Sequence, residues 1–154
     1  MKLLDTSFLI DYFKGVEVAR GLVTADEQHV TTAITYHEIM TGLKRAHARK
    51  EESFFKRVFS QMTVLEFDEK AAEESSTIAA KLEVVGKSVN ALDILIAGVA
   101  VANGISKIVT RDRDFLEIAK VAEIDVLTYW ISHISSMCSK LVSRNIALPD
   151  ISGD

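Results

Sequence analysis

The sequence predicts an α/β fold, a three-layer α/β/α sandwich around a mainly parallel central sheet, and three observations predict it. Short apolar runs alternate with longer helical patterns along residues 1 to 128. Several of these runs have no polar face, as strands covered on both sides require. The chain of 154 residues is 48% hydrophobic and carries no repeat or Gly/Ser linker before its C-terminus, which suits a single core.

The elements follow in order. Lys2-Leu3-Leu4 reads as a buried strand that ends in Asp5-Thr6, and Phe8 to Phe13 as a helix stopped by Gly15. A second helix is expected over Glu17 to Ala25. His29-Val30-Thr31-Thr32 is short and β-branched, so it reads as the second strand. Ile34, Ile39, Met40, Leu43 and Ala46 then fall at helical spacing, and another helix runs through Phe54, Phe55, Val58 and Phe59. Thr63 to Phe67 alternates like a strand. Asp68 caps a helix expected to reach about Val85, with acids in its first turn. Asn90 to Asn103 is an apolar helix closed by Gly104. Lys107 to Thr110 is a strand, Phe115 to Ala119 a short helix, and Asp125 to Leu127 the last strand. Residues 129–154 fit the alternation poorly. Tyr129 to Val142 has some helical character, and Leu148-Pro149-Asp150 onward reads as a tail.

Eighteen Lys and Arg against 22 Asp and Glu leave a formal charge of −4. That excludes a protein that holds nucleic acid by bulk positive charge. The lone Cys138 forms no internal disulfide, Asp5 and Asp11 interrupt any secretory leader, and Ile94 to Ala102 is too short to cross a bilayer. A soluble cytoplasmic protein with no membrane partner is expected.

The surplus acids need places. Asp5 and Asp112 each follow a strand, so in a parallel sheet they share the C-terminal rim, where ligands bind in such folds. Each also reads as a turn or helix-cap residue. Asp93 lies among Leu92, Ile94, Ile96 and Ala97; it is either a first-turn acid facing the helix dipole behind an Asn90 cap, or a buried carboxylate that needs a partner. Glu38 lies between apolar positions and reads as a site acid or as a solvated residue paired with Arg45. Convergent acids repel unless a cation is present, and all-oxygen ligation favours Mg²⁺ or Mn²⁺. Such ions activate water for attack on a phosphodiester. Thr6, Ser7 and Thr110 place hydroxyls beside the acids as supports or as simple turn caps.

These segments resemble a known family. Leu4-Asp5-Thr6-Ser7-Phe8-Leu9-Ile10-Asp11 resembles the opening motif of PIN-domain ribonucleases. Ile34 to Ile39 with Gly42, Leu92 to Ala97, and Val109 to Phe115 are similar to the segments that supply the family's second, third and fourth acids. In size the chain is most similar to VapC-type toxins of toxin–antitoxin pairs. The resemblance implies a Mg²⁺- or Mn²⁺-dependent endoribonuclease, a homodimer, inhibited by a cognate antitoxin. It assigns catalysis and metal ligation to Asp5, Glu38, Asp93 and Asp112, with Asp114 as a supplementary acid. Residues 129–154 inherit nothing from it and form an extension or tail without an assigned role.

Lys44, Arg45, Arg49, Lys50, Lys56 and Arg57 stand against Glu51 and Glu52 between Leu43 and Arg57. Lys44, Arg45 and Arg49, with Arg111 and Arg113 beside the fourth acid, can guide an RNA backbone or form an ordinary solvated face. Two further readings stay open: a PIN-fold nuclease serving RNA processing, and an RNA-binding module without catalysis. An aspartate phosphatase is disfavoured by Ser7, where a second Asp belongs. A phosphotransfer receiver is disfavoured by Thr110-Arg111-Asp112, where a lysine belongs.

Overall fold

A computed structural model describes residues 1–24 and 26–131. The elements, in chain order, are β1 (Lys2–Leu4), α1 (Thr6–Phe13), α2 (Glu17–Arg20), β2 (His29–Thr32), α3 (Ala33–Arg45) and α4 (Arg49–Ser60). They continue with β3 (Thr63–Leu65), α5 (Glu69–Val84), α6 (Ala91–Ala102), β4 (Lys107–Thr110), α7 (Asp114–Ile118) and β5 (Asp125–Thr128). All five strands are parallel, in the order β3-β2-β1-β4-β5.

Side-chain alternation along the central strands builds the three layers. Leu3 pairs with Ile108, and both face a core shared with Ala71, Ile78, Leu82, Ile96 and Phe115 on α5, α6 and α7. Leu4 pairs with Val109, and both face the opposite core, with Phe8, Leu9, Ile39, Met40, Phe55 and Phe59 on α1, α3 and α4. Neither central strand has a polar face, as its sequence requires.

The strand order decides where the site lies. After β1 the chain builds β2 and β3 on one side, then crosses to build β4 and β5 on the other. The connections leaving β1 and β4 therefore diverge, and a crevice opens at the C-terminal ends of these two strands. Asp5 and Asp112 stand at its two lips.

Local chemistry sets the helix starts. Thr32 caps α3 through the Thr35 amide, Asp68 caps α5 through the Ala71 amide, and Asn90 caps α6 through the Leu92 amide. Gly15 and Gly104, both with positive φ, end the chain's first and sixth helices in a conformation that L side chains resist.

Three expected spans differ. The α2 helix stops at Arg20 because Gly21 caps it, leaving room for the extended entry to β2. The β3 strand stops at Leu65, since it is an edge strand and Phe67, 38% exposed, already belongs to the approach to the Asp68 cap. Tyr129 to Ile131 are not helical; Tyr129 is buried against Phe8 and the chain stays packed past residue 128. The rest of that expected helix, Cys138 and the tail lie in 132–154, outside the described residues. Among the described residues no helix is long and apolar enough to cross a membrane.

Helices α5 and α6 approach each other closely at Gly98. A Cβ added there would lie 2.5 Å from Ser75 Cβ and 2.7 Å from the Ala71 carbonyl oxygen. Gly98→Ala should therefore cost stability by overpacking, about 1–3 kcal/mol, and lower the melting temperature by several degrees. A thermal melt equal to wild type would show that the two helices can part without strain.

Candidate active site

The acids at the switch point are delivered by four different segments. Asp5 follows β1 and caps α1; Glu38 lies on α3; Asp93 is in the first turn of α6; and Asp112 lies in the turn after β4, with Asp114 opening α7. The N-termini of α1 and α6 bring the positive ends of their dipoles to the same rim, which helps hold negative charge there.

Asp5 is 3% exposed and fully orchestrated by its neighbours. Thr110 Oγ1 donates to its Oδ2 at 2.7 Å, Ser7 Oγ donates to the same oxygen at 2.9 Å, and the Ser7 amide adds a longer bond at 3.3 Å. The capping reading of Asp5 holds: its Oδ2 takes the cap bond from the Ser7 amide together with the two hydroxyl bonds. Burial raises its pKa, with the Thr110 and Ser7 hydrogen bonds working against the shift.

The same hydroxyls reach the fourth segment. Thr110 Oγ1 accepts from the Asp112 amide at 2.9 Å, and Ser7 Oγ accepts from the Arg111 amide at 3.0 Å. Asp112 Oδ1 accepts from the Asp114 amide, and Asp114 Oδ2 accepts from the Asn90 amide at 2.9 Å. That last bond ties the β4–α7 turn to the start of α6. Glu38 Oε2 accepts from Thr6 Oγ1 at 2.6 Å, and no ion pair with Arg45 forms. Desolvation raises its pKa, and the Asp5 and Asp112 charges push the same way.

Asp93 is the most exceptional of the group. It is 4% exposed, and its Oδ2 is buried with no hydrogen-bond partner among the described residues. Its pKa is pushed up to about 8 by burial first, then by the charges of Asp5, Asp112, Glu38 and Asp114. The tightest grouping is Asp93, Asp112 and Asp114, with one carboxylate oxygen of each within 4.8 Å of the others. Asp5 and Glu38 border this trio rather than belong to it, and Asp114 is drawn further in than its supplementary standing in the sequence suggests. A hard divalent cation fits such a donor set, because it is all oxygen, strongly anionic and includes an unpartnered buried oxygen.

The basic residues divide. Arg111 and Arg113 lie in the β4–α7 turn, flanking Asp112. Lys44 and Arg45 end α3 and Arg49 begins α4; since α3 starts at the C-terminal end of β2 and runs back along the sheet, these three are carried away from the acids. Glu38 to Arg45 is seven residues, about 10 Å of helix.

Two functional-site neighbours escape sequence reasoning. Asp11 on α1 is 4% exposed, and it pairs with Arg111 Nε at 3.2 Å and accepts from Tyr129 Oη at 2.9 Å. Burial and the adjacent Asp11 raise the Tyr129 pKa, so the phenol stays a proton donor. The available signal for Asp11 was an acid inside the apolar run Phe8 to Phe13, which needs a partner when buried. Its partners lie 100 or more residues away.

A PIN-domain family model matches residues 2–121. Among solved structures, a DNA-bound VapBC complex from Salmonella typhimurium is 27% identical with a TM-score of 0.69, covering 81% of this chain and 95% of that one. A toxin–antitoxin complex from Klebsiella pneumoniae is 25% identical with a TM-score of 0.67, covering 85% and 100%. A VapBC complex from Rickettsia felis bound to a promoter DNA fragment shares the fold at 17% identity, with a TM-score of 0.71 over 83% and 98%.

The raised Asp93 pKa has a sign that can be measured. An acid whose folded pKa of about 8 exceeds its ordinary 3.8 contributes stability that is full below pH 4 and lost as pH rises through 8. Metal-free Asp93→Asn protein should therefore melt above wild type at pH 8–9, with the gap closing towards pH 5. Parallel pH profiles for the two proteins would refute the buried, repelled carboxylate.

Proposed function

The chain belongs to the PIN-domain family, and on that premise we propose that it is a divalent-metal-dependent endoribonuclease, the toxin of a VapBC-type toxin–antitoxin pair. The observation that carries the reading is Asp93: a buried, unpartnered carboxylate oxygen in a cluster of acids, at the crevice where a sheet of this order binds its ligands.

In this reading Asp5, Glu38, Asp93 and Asp112 hold Mg²⁺ or Mn²⁺, with Asp114 alongside. The chemistry such a cation would supply is an activated water and charge neutralisation at the phosphodiester. The protein's own side chains do the positioning. Thr110 and Ser7 orient Asp5, Thr6 orients Glu38, and the Asn90 amide fixes Asp114. Arg111 and Arg113 draw the RNA backbone to the rim, while Lys44, Arg45 and Arg49 add charge at longer range. The antitoxin partner is supported by the likeness to the Klebsiella toxin–antitoxin complex and to the Salmonella VapBC complex. Homodimer formation, a cytoplasmic location and a nuclease unit spanning residues 1–128 with a C-terminal extension complete the proposal.

Purified protein should cleave RNA with Mn²⁺ or Mg²⁺, leaving 5′-phosphate ends, and chelator should abolish cleavage. Asp5→Asn and Asp93→Asn should each lower the rate on the order of a hundredfold or more with the fold retained. Cleavage that survives excess chelator, or 2′,3′-cyclic phosphate products, would overturn the metal-activated water. Expression should arrest growth, and a small partner encoded beside this chain should relieve it. Growth unaffected by expression would instead favour an RNA-processing role.

A further inference from the structure

We propose that Trp130, with Arg113 stacked on it, forms a subsite for an unpaired RNA base at the rim of the acidic cluster; that the ligand is RNA rests on the nuclease reading above. Extended backbone sends successive side chains to opposite sides. Tyr129 therefore turns into the core, 4% exposed, and Trp130 turns out, 57% exposed. The Arg113 guanidinium carbon lies 4.6 Å from the Trp130 ring centroid. Because Arg113 sits between Asp112 and Asp114, the indole stands one arginine side chain away from the trio of acids.

The surroundings specify the ligand's chemistry. Trp130 follows the C-terminal end of β5, so it shares the rim with Asp5 and Asp112. Arg111, two residues before Arg113, is anchored by buried Asp11, which is in turn held by the Tyr129 hydroxyl. One clamp thus fixes a cation on one side of the acids and presents an aromatic face next to it. An aromatic face stacked with one guanidinium group, on the turn that also carries Arg111, matches a base with its flanking phosphate. A paired base keeps its faces inside the duplex stack, so the subsite selects unpaired RNA.

Trp130 is the only tryptophan in the chain, which makes its fluorescence a report from this one point. Full-length protein would be titrated at low salt, in Ca²⁺ and again in chelator, with a single-stranded RNA oligonucleotide, an abasic oligomer of the same length, and an RNA duplex. Saturable quenching by the single strand, absent with the abasic oligomer and the duplex, is expected. By anisotropy, Trp130→Ala should bind the single strand about tenfold more weakly, and Trp130→Phe should recover most of the loss. Silent fluorescence in both conditions, or equal affinity for wild type and Trp130→Ala, would overturn the subsite. The two readings separate cleanly: cleavage in Mn²⁺ with unperturbed Trp130 removes the subsite and keeps the nuclease. Quenching without cleavage under any divalent ion keeps the subsite and removes the nuclease.

Discussion

Thr110 Oγ1 donates to Asp5 Oδ2 and accepts from the Asp112 amide, so one buried hydroxyl joins the ends of the two central strands. Its position follows from the sheet. Leu4 pairs with Val109, which places Asp5 and Thr110 side by side at the carboxyl ends of β1 and β4. The hydroxyl can satisfy both groups at once because Asp5 requires a donor and the turn amide requires an acceptor. Without it, Asp5 would lose its shortest hydrogen bond and the turn that carries Arg111 to Asp114 would lose its hold on the strand end.

The rest of the site is organised from that junction. Ser7 repeats the arrangement in the first turn of α1, donating to Asp5 and accepting from the Arg111 amide. Asp114 extends it to α6 through the Asn90 amide, and the Asp11–Tyr129 pair closes the far side through Arg111. Apart from the Ser7–Asp5 bond, these connections join segments distant in sequence, so the geometry of the acids is a product of the whole fold. The rigidity has a chemical use, because a metal site needs ligands that are held before the ion arrives.

The parts legible in the sequence are those governed by local physics. Apolar runs, β-branched strands and the caps Asp68 and Asn90 name their own elements, and the four principal acids stand out because each interrupts an apolar pattern or ends a strand. The illegible parts depend on contacts across the chain. Asp11 is recognisable as an acid in an apolar helix, but its partners Arg111 and Tyr129 lie on the far side of the sequence. Asp114 gains its place from an amide 24 residues earlier. The end of α2 at Gly21 and the shortness of β3 reflect edge and loop geometry, which composition does not encode. Trp130 is unreadable for the same reason: its exposure follows from the burial of Tyr129, and that is a tertiary fact.

The formal charge of −4 takes on a specific meaning from this geometry. Surface acids stay apart in water and keep ordinary pKa values, whereas here buried Asp5 and Asp93 converge with half-buried Glu38 and Asp114 and with exposed Asp112. Asp5, Glu38 and Asp93 are all driven towards their neutral forms, by burial first in each case. No lysine or arginine among the described residues forms an ion pair with them; Arg111, in the turn after β4, is committed to Asp11. A protein that only needed solubility would gain nothing by burying carboxylates against one another. The cluster stores repulsion of the kind that a divalent cation would offset. Acidity at the centre and arginine at the rim are thus complementary: under the proposed function the arginines would draw in an RNA backbone, and a bound cation would offset the charge of the acids.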